Sequence, residues 1–337
     1  MIARAFHGWE RRLASASTDR VVRPFEWGLE WIDPSAVGVD DPALWLEQWA
    51  DRTVADSAAF YHVPPCEDYA VSGDQLTFPS AIATPHPENN VVRARYFPER
   101  SPLGRRRAVL VLPQWNADAG GHVGLCRLLN QFKLSALRLT LPYHDERRPA
   151  ELRRADYIVS ANIGRTTQVC RQAVLDARRA IGWLAQQGYE SIGILGTSLG
   201  SCLSMLTTAH EPRIRAAALN HISPYFADVV WSGLSTSHVR ESLDHRIDLD
   251  RLRRIWMPIS PFPFLERVRG RRMLLVYARY DLTFPVGLSR LLVNEFRRRA
   301  IEHQLMVLPC GHYSTGVTPF KWMDGLTLCR FLGRALQ

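Results

Sequence analysis

The sequence has almost no lysine and no closely paired cysteines. Only Lys133 and Lys321 of its 42 basic residues are lysines, and no two of its six cysteines form a Cys-x-x-Cys pair. No apolar run approaches the 18 or so residues of a membrane-spanning helix, and the N-terminal segment lacks the apolar stretch of a secretory signal. We therefore expect a cytoplasmic protein with reduced, mostly buried thiols and with no metal site or other cofactor.

The charge is strongly basic, with a formal net value of +9 over 337 residues. Arginine clusters at 105–107 and 297–299 could bind a nucleic acid or an anionic lipid surface. The two clusters lie on different predicted elements and lack the interleaved aromatic residues of a single-strand binding groove. This pattern favours a solvated surface and argues against nucleic-acid binding, while peripheral contact with a membrane stays open.

Residues 1–79 are predicted to form a helical extension. Leu44, Trp45 and Trp49 follow a helical spacing behind Asp41, a possible N-cap, and Pro42, which is typical of a first helical turn. The extension is rich in tryptophan, and packing onto the main domain is the commoner use of such residues, although a ligand surface or an interface is the alternative.

Residues 80–337 are predicted to form the main domain. Strands at 81–84 and 91–97 would make a hairpin, and the nearly continuous apolar run at 108–113 is typical of a strand buried on both faces. Strands and helices alternate from there onward, which predicts an α/β fold with a doubly wound, mostly parallel sheet. The alternation breaks at about 223–269, where an insertion could form a lid over the carboxyl ends of the strands.

The strongest local motif is Gly196-Thr-Ser198-Leu-Gly200, between an apolar strand and a helical stretch. A serine displayed on a sharp strand-to-helix turn needs small neighbours, because side chains at the two glycines would collide with the crossing backbone. The helix start also offers free N–H groups, so the amide of Leu199 could stabilise an oxyanion. The alternative is a structural turn whose serine only caps the helix.

Two later residues complete a catalytic pattern. Asp281 directly follows the apolar strand at 272–278, and His312 lies in a glycine-flanked loop after the next strand. A serine nucleophile needs a histidine to accept its proton and an acid to orient that histidine. Each residue alone could be unremarkable, but the order Ser, acid, His after successive strands predicts a triad.

With these motifs, the segment from about 81 to 336 resembles the α/β-hydrolase-fold serine hydrolases. The loop Pro113-Gln114-Trp115-Asn116 departs from the glycine-rich loop of many relatives and, with the segment 142–145, resembles a sparsely characterised branch of α/β-hydrolase-domain-containing proteins. By position in this fold, the backbone amide of Gln114 or Trp115 would be the second oxyanion donor. Candidate substrate-binding residues are Trp115, His144, His221 and Tyr225.

The resemblance implies a serine hydrolase that cleaves a carboxylic ester through an acyl-enzyme, with a small-molecule ester or a lipid as substrate. Two alternatives remain open. One is a lipid acyl hydrolase that acts at anionic membranes. The other is a non-catalytic binding protein that uses the aromatic N-terminal region as its contact surface.

Overall fold

The computed structural model describes residues 2–99 and 105–337. Within these ranges nine strands form one sheet in the order β1-β2-β3-β5-β4-β6-β7-β8-β9. Their bounds are β1 Ala70–Ser72, β2 Gln75–Pro79, β3 Val91–Phe97, β4 Arg107–Leu112, β5 Ser135–Leu139, β6 Ser191–Thr197, β7 Ile214–Asn220, β8 Arg272–Ala278 and β9 Gln304–Leu308.

The sheet is antiparallel at one edge and parallel elsewhere. Strands β1, β2, β3 and β5 pair antiparallel, whereas every pairing from β5 through β4 to β9 is parallel. The middle strands β4 and β6 are almost completely buried, as their continuous apolar runs predict. The predicted mostly parallel α/β sheet is therefore confirmed.

The first hairpin differs from the sequence-based expectation. Residues 81–84 do not form a strand; β2 pairs with β3 instead, with Leu76 opposite Ala94 and Phe78 opposite Val92. Leu76 and Phe78 point into the core and supply the alternation that holds this register. The main-chain amide of Thr84 is bonded to the side chain of Asn90, so this segment folds as a loop. The sheet thus begins at Ala70, inside the range that the sequence assigned to the extension.

Helices cover both faces of the sheet. They are α1 Ile2–Ser15, α2 Pro42–Ala55, α3 Ser57–Phe60, α4 Val123–Gln131, α5 Ile163–Gln186, α6 Leu199–His210, α7 Phe226–Ser232, α8 Ser237–Leu243, α9 Leu249–Ile255, α10 Val286–Arg298 and α11 Phe320–Ala335. Residues of β4 alternate between two hydrophobic cores. Leu110 belongs to the core that includes residues of α5, α6 and α10, whereas Val109 and Val111 belong to the core that includes residues of α4 and α11.

The N-terminal helices pack on the rest of the chain. Asp41 caps α2 as expected, with its carboxylate accepting the amide of Leu44 at 2.9 Å. Glu47 of α2 pairs with Arg251 of α9, within the insertion between β7 and β8. Helix α1 instead lies against the loops that follow β8 and β9. None of the described helices has both the length and the apolar character needed to cross a bilayer.

Candidate active site

Ser198 is the single residue between β6 and α6, and few non-glycine residues adopt its backbone conformation. Its backbone has φ 57° and ψ −120°, a strained combination of the kind that clusters at functional sites. A Cβ at Gly196 would lie 2.1 Å from the carbonyl oxygen of Gly200, and one at Gly200 would lie 2.2 Å from that of Leu112. Gly196 is therefore required for α6 to begin this close to the end of β6, and Gly200 for α6 to approach β4.

Backbone N–H groups surround this turn. As the first residue of α6, Leu199 has no carbonyl within the helix to receive its amide. In the loop after β4, the amide of Asn116 donates to His144 Nε2 at 2.9 Å and that of Ala117 to Gln114 O at 3.1 Å. In contrast, the amides of Gln114 and Trp115 donate to no partner in the described ranges. These are the amides that the sequence singled out.

His144 lies behind the loop 113–117 that follows β4, not in the cleft. Its Nδ1 lies 2.9 Å from Pro142 O, a carbonyl that can only accept, so Nδ1 carries the proton and Nε2 accepts from Asn116. Burial lowers the pKa of His144 to about 4, which keeps the ring in this neutral form. The residue is fully enclosed and is not among the cavity-lining side chains, so its placement favours support of the loop over contact with substrate.

Asp281 receives hydrogen bonds on both carboxylate oxygens. Oδ1 accepts the main-chain amides of Thr283 and Phe284 at 2.8 and 2.7 Å. Oδ2 lies 3.0 Å from His312 Nδ1 and 2.8 Å from His221 Nδ1. Burial alone would raise the pKa of Asp281, but the adjacent histidines outweigh this and hold it well below the usual range. The carboxylate is therefore ionised and fixed at neutral pH.

His221 is an unusual second partner for this acid. It directly follows β7 with φ 57°, its amide is bonded to Val276 O, and its ring centroid lies 4.5 Å from that of His312. The sequence makes His221 a candidate for substrate binding, and its ring lines the cavity next to Ser198. Its Nδ1 is also close enough to Asp281, at 2.8 Å, to help orient the acid. No local motif predicts this contact.

His221, Asp281 and His312 are also the group within the described residues whose ligand atoms are close enough to hold a metal ion, all within 4.8 Å of one another. The two nitrogen-to-oxygen separations of 2.8 and 3.0 Å are those of N–H···O hydrogen bonds. Two imidazoles that each donate Nδ1–H to one carboxylate account for the cluster without an ion.

Helix α1 holds the loop that carries His312. The carboxylate of Glu10, which is fully buried, accepts the main-chain amides of Tyr313 and Ser314 at 2.8 and 2.9 Å. A Cβ at Gly311 would lie 2.3 Å from Glu10 Cδ, so the loop needs glycine there to receive the helix. Phe6, one turn earlier, stacks on Tyr280 beside Asp281 with ring centroids 4.5 Å apart. No sequence pattern predicts this contact, since nothing local distinguishes Glu10 from other acids.

Two concave spaces meet at Ser198. A cavity of about 680 Å³ is lined by Ser198, His312, His221 and Trp115 among others. A smaller pocket of about 50 Å³ lies on the other side of the serine, and its walls are mostly apolar, with Tyr225 and other residues of the insertion contributing. Trp115 borders both spaces, and its indole N–H donates to Ala155 O at 2.9 Å. The structure thus brings the predicted nucleophile and base to one cavity, and Tyr225 and Trp115 to the adjoining pocket.

Comparison with solved structures identifies the fold. Acetyl xylan esterase 1 from Thermoanaerobacterium sp. JW/SL YS485 superimposes with a TM-score of 0.63 at 14% identity, covering 87% of this chain and 94% of that one. An acetyl xylan esterase from Paenibacillus sp. R4 gives 0.60 at 12% identity, with 95% and 98% covered. Acylaminoacyl peptidase from Pyrococcus horikoshii gives 0.60 at 14% identity over 83% of this chain but only 44% of its own.

These neighbours share the α/β-hydrolase fold, and the chain has that fold, as its sequence motifs predicted. At 12 to 14% identity the likeness extends to the fold and not to a substrate. No protein-family model and no curated protein sequence matches the chain.

Proposed function

We propose that the protein is a serine hydrolase that cleaves a carboxylic ester through an acyl-enzyme intermediate. The observation that carries this proposal is the strained Ser198 in one cavity with His312, whose Nδ1 is bonded to the buried Asp281. A structural turn does not require a non-glycine residue at φ 57°, whereas display of a nucleophile does.

In this mechanism His312 is the general base. Its Nδ1–H donates to Asp281, which leaves Nε2 to accept the proton of Ser198 as Oγ attacks the carbonyl carbon of the ester. The tetrahedral intermediate collapses, and His312 returns the proton to the departing alcohol. Water then attacks the acyl-enzyme with help from the same base, which releases the acid and restores Ser198.

The oxyanion would be held by the amide of Leu199 and by that of Gln114 or Trp115. Support for this pair comes from the hydrogen bonds of their neighbours, because Asn116 and Ala117 already donate within the loop. The loop is held by neutral His144, so its donors are preorganised, as electrostatic stabilisation of a transition state requires.

We assign the small apolar pocket to the acyl group and the large cavity to the alcohol. Apolar cavities of 150 Å³ can bind benzene, so 50 Å³ would hold about two or three carbon atoms. A short acyl chain is therefore expected. The insertion after β7 would form a wall of this acyl site, because Tyr225, Val229 and Val230 line it.

Replacement of Ser198 by alanine tests the proposal. Hydrolysis of 4-nitrophenyl acetate should fall by about 10⁴-fold to 10⁶-fold in kcat, as in other serine triads. The matched control Ser15→Ala, at the exposed end of α1, should retain full activity. Circular dichroism would show that both variants fold. Wild-type turnover by folded Ser198→Ala protein would refute the assignment.

A fluorophosphonate probe separates an enzyme from a binding protein with the same fold. The probe should label wild type at Ser198 and leave Ser198→Ala unlabelled, as read by peptide mass spectrometry. Absence of labelling in the wild type would instead favour a non-catalytic role.

A further inference from the structure

The large cavity next to Ser198 has a cationic lining that the proposed chemistry does not use. Arg20, Arg154 and Lys321 all border it. Arg20 follows helix α1, Arg154 lies between β5 and α5, and Lys321 belongs to the first turn of α11. Three separate parts of the chain therefore bring positive charge to one space.

Two of these cations have no carboxylate partner among the described residues. Arg154 pairs with Asp19 at 2.8 Å, and elsewhere Arg298 and Arg299 of a surface cluster pair with Glu295. In the described parts of the chain, neither Arg20 nor Lys321 has a carboxylate within ion-pair distance. Arg20 and the exposed Lys321 thus add positive charge to the cavity lining that no carboxylate in the described ranges neutralises.

Arg20 is tied to the catalytic loop. Its Nη2 donates to Ala14 O at 3.0 Å and to the hydroxyl of Tyr313, the residue after His312, at 3.2 Å. Its Nε is buried and, among the residues described, has no hydrogen-bond partner. Five other arginines in the described ranges also have a buried Nε without a partner, but of these only Arg154 lines the same cavity.

The rest of the cavity lining includes hydrogen-bond acceptors. Gln114 Oε1, Asn220 Oδ1 and Asp324 Oδ1 are each buried without a partner in the described residues. These oxygens would accept from donor groups of a ligand and not from the anion itself. Asp324 is the one carboxylic acid in the described lining, and burial raises its pKa to about 6. Positive charge therefore exceeds negative charge whether or not this acid is ionised.

We propose that the cavity binds an anionic group, a carboxylate or a phosphate, on the alcohol part of the ester, and that Arg20 and Lys321 recognise it. This inference rests on the proposed ester hydrolysis for its place in catalysis. It assigns the two sides of the bond to the two spaces: a short apolar acyl group in the small pocket and an anionic alcohol in the large cavity.

The test compares two acetate esters of similar shape, 4-acetoxybenzoate and its neutral analogue 4-acetoxybenzamide. After each rate is divided by the rate with hydroxide alone, the wild type should favour the carboxylate by about tenfold in kcat/KM. High salt should reduce that preference because it screens exposed charges. Arg20→Met and Lys321→Gln should each move the ratio toward one.

Lys133→Gln is the matched control, since Lys133 is the chain's other lysine and does not line this cavity. It should keep the wild-type ratio. A ratio near one in the wild type, or a preference unchanged in both cavity variants, would overturn the inference. Hydrolysis of the neutral ester by wild type but not by Ser198→Ala would still uphold the proposed function in that case.

Binding to Ser198→Ala tests the subsite without turnover. Calorimetry should give a Kd about tenfold lower for 4-acetoxybenzoate than for the benzamide, and addition of Arg20→Met should abolish the difference. Equal Kd values would refute the anionic subsite whatever the catalytic result, whereas a selective Kd without hydrolysis would uphold the subsite and refute the proposed reaction.

The anion could belong to a small molecule or to a lipid head group, because Trp322 and Met323 expose apolar surface next to Lys321. Rates on 4-acetoxyphenyl phosphate and on phosphatidylglycerol or phosphatidylcholine that carry propionyl chains, short enough for the small pocket, distinguish these sources. Faster hydrolysis of the anionic than of the zwitterionic phospholipid would support a head group. Selective hydrolysis of the soluble phosphate alone would support a small molecule, and no preference for the anionic member in any pair would contradict the proposal.

Discussion

Ser198 and His312, the proposed nucleophile and base, are held in place by different kinds of contact. Ser198 is positioned by its own strand, its own helix and two glycines within two residues of it. The loop of His312 is positioned by Glu10, 303 residues from the amide of Tyr313 that it binds. The position of Ser198 thus depends on a short stretch of sequence, whereas the position of His312 depends on contacts between distant parts of the chain.

The largest effect should come from disturbing the nucleophile side. In Gly200→Ala the new Cβ would meet the carbonyl oxygens of Leu112 and Pro113, which are backbone atoms that cannot rotate away. We expect the free energy of unfolding, measured by urea titration, to fall by about 3 kcal/mol. Most of the proposed esterase activity should be lost as well.

Gly8→Ala is the control for this change, because Gly8 lies on an exposed face of α1 with nothing within 4 Å of an added Cβ. It should stabilise the protein by up to about 1 kcal/mol, the gain in helix propensity. A Gly200→Ala protein as stable and active as wild type would show that the close approach of α6 to β4 is not needed.

Disturbing the base side should affect catalysis more than stability. In Glu10→Gln one carboxylate oxygen is replaced by an amide group that cannot accept the N–H of Tyr313 or Ser314. Loss of one charge-assisted bond of about 1.5 to 3 kcal/mol should lower kcat about tenfold to a hundredfold with little change in KM.

Steady-state kinetics and urea unfolding measured together would judge this prediction. The exposed Glu30→Gln variant should behave as wild type in both. Unfolding at lower urea with kcat unchanged would mean that α1 only adds stability and does not position His312.

A smaller effect is expected at His221. In His221→Leu, Asp281 loses one of its two imidazole donors but keeps His312 and both main-chain amides. We expect kcat to fall about tenfold with KM unchanged. His221→Asn should recover part of the loss, since its amide N–H can donate from near the position of Nδ1. A rise in KM alone would instead indicate that His221 binds substrate directly.

The sequence predicted the features whose causes are local. The buried runs of β4 and β6 predicted a parallel sheet, and the two glycines around Ser198 predicted the close turn. It placed the first hairpin wrongly because alternation at 81–84 is short, and the side chains of Leu76 and Phe78 bury better against β3. The short pattern at 81–84 cannot show which of two neighbouring segments pairs with β3, because this depends on which side chains the folded protein buries.

Contacts between distant residues could not be predicted. Glu10, His221 and Arg20 form hydrogen bonds with residues on other elements. Nothing in the neighbouring sequence indicates which residue each of these side chains will contact. The segment 142–145 makes His144 a candidate site residue, but only the folded structure shows that its Nε2 accepts the amide of Asn116.

The bond between α1 and the His312 loop also constrains how the protein can be made. During synthesis α1 emerges well before the loop it receives, which lies 303 residues further along the chain. Until that loop has been made, the carboxylate of Glu10 has no main-chain amides to accept. The nascent chain can therefore assemble the turn around Ser198 first, and the proposed hydrolytic activity should arise only after the loop of His312 has docked on α1.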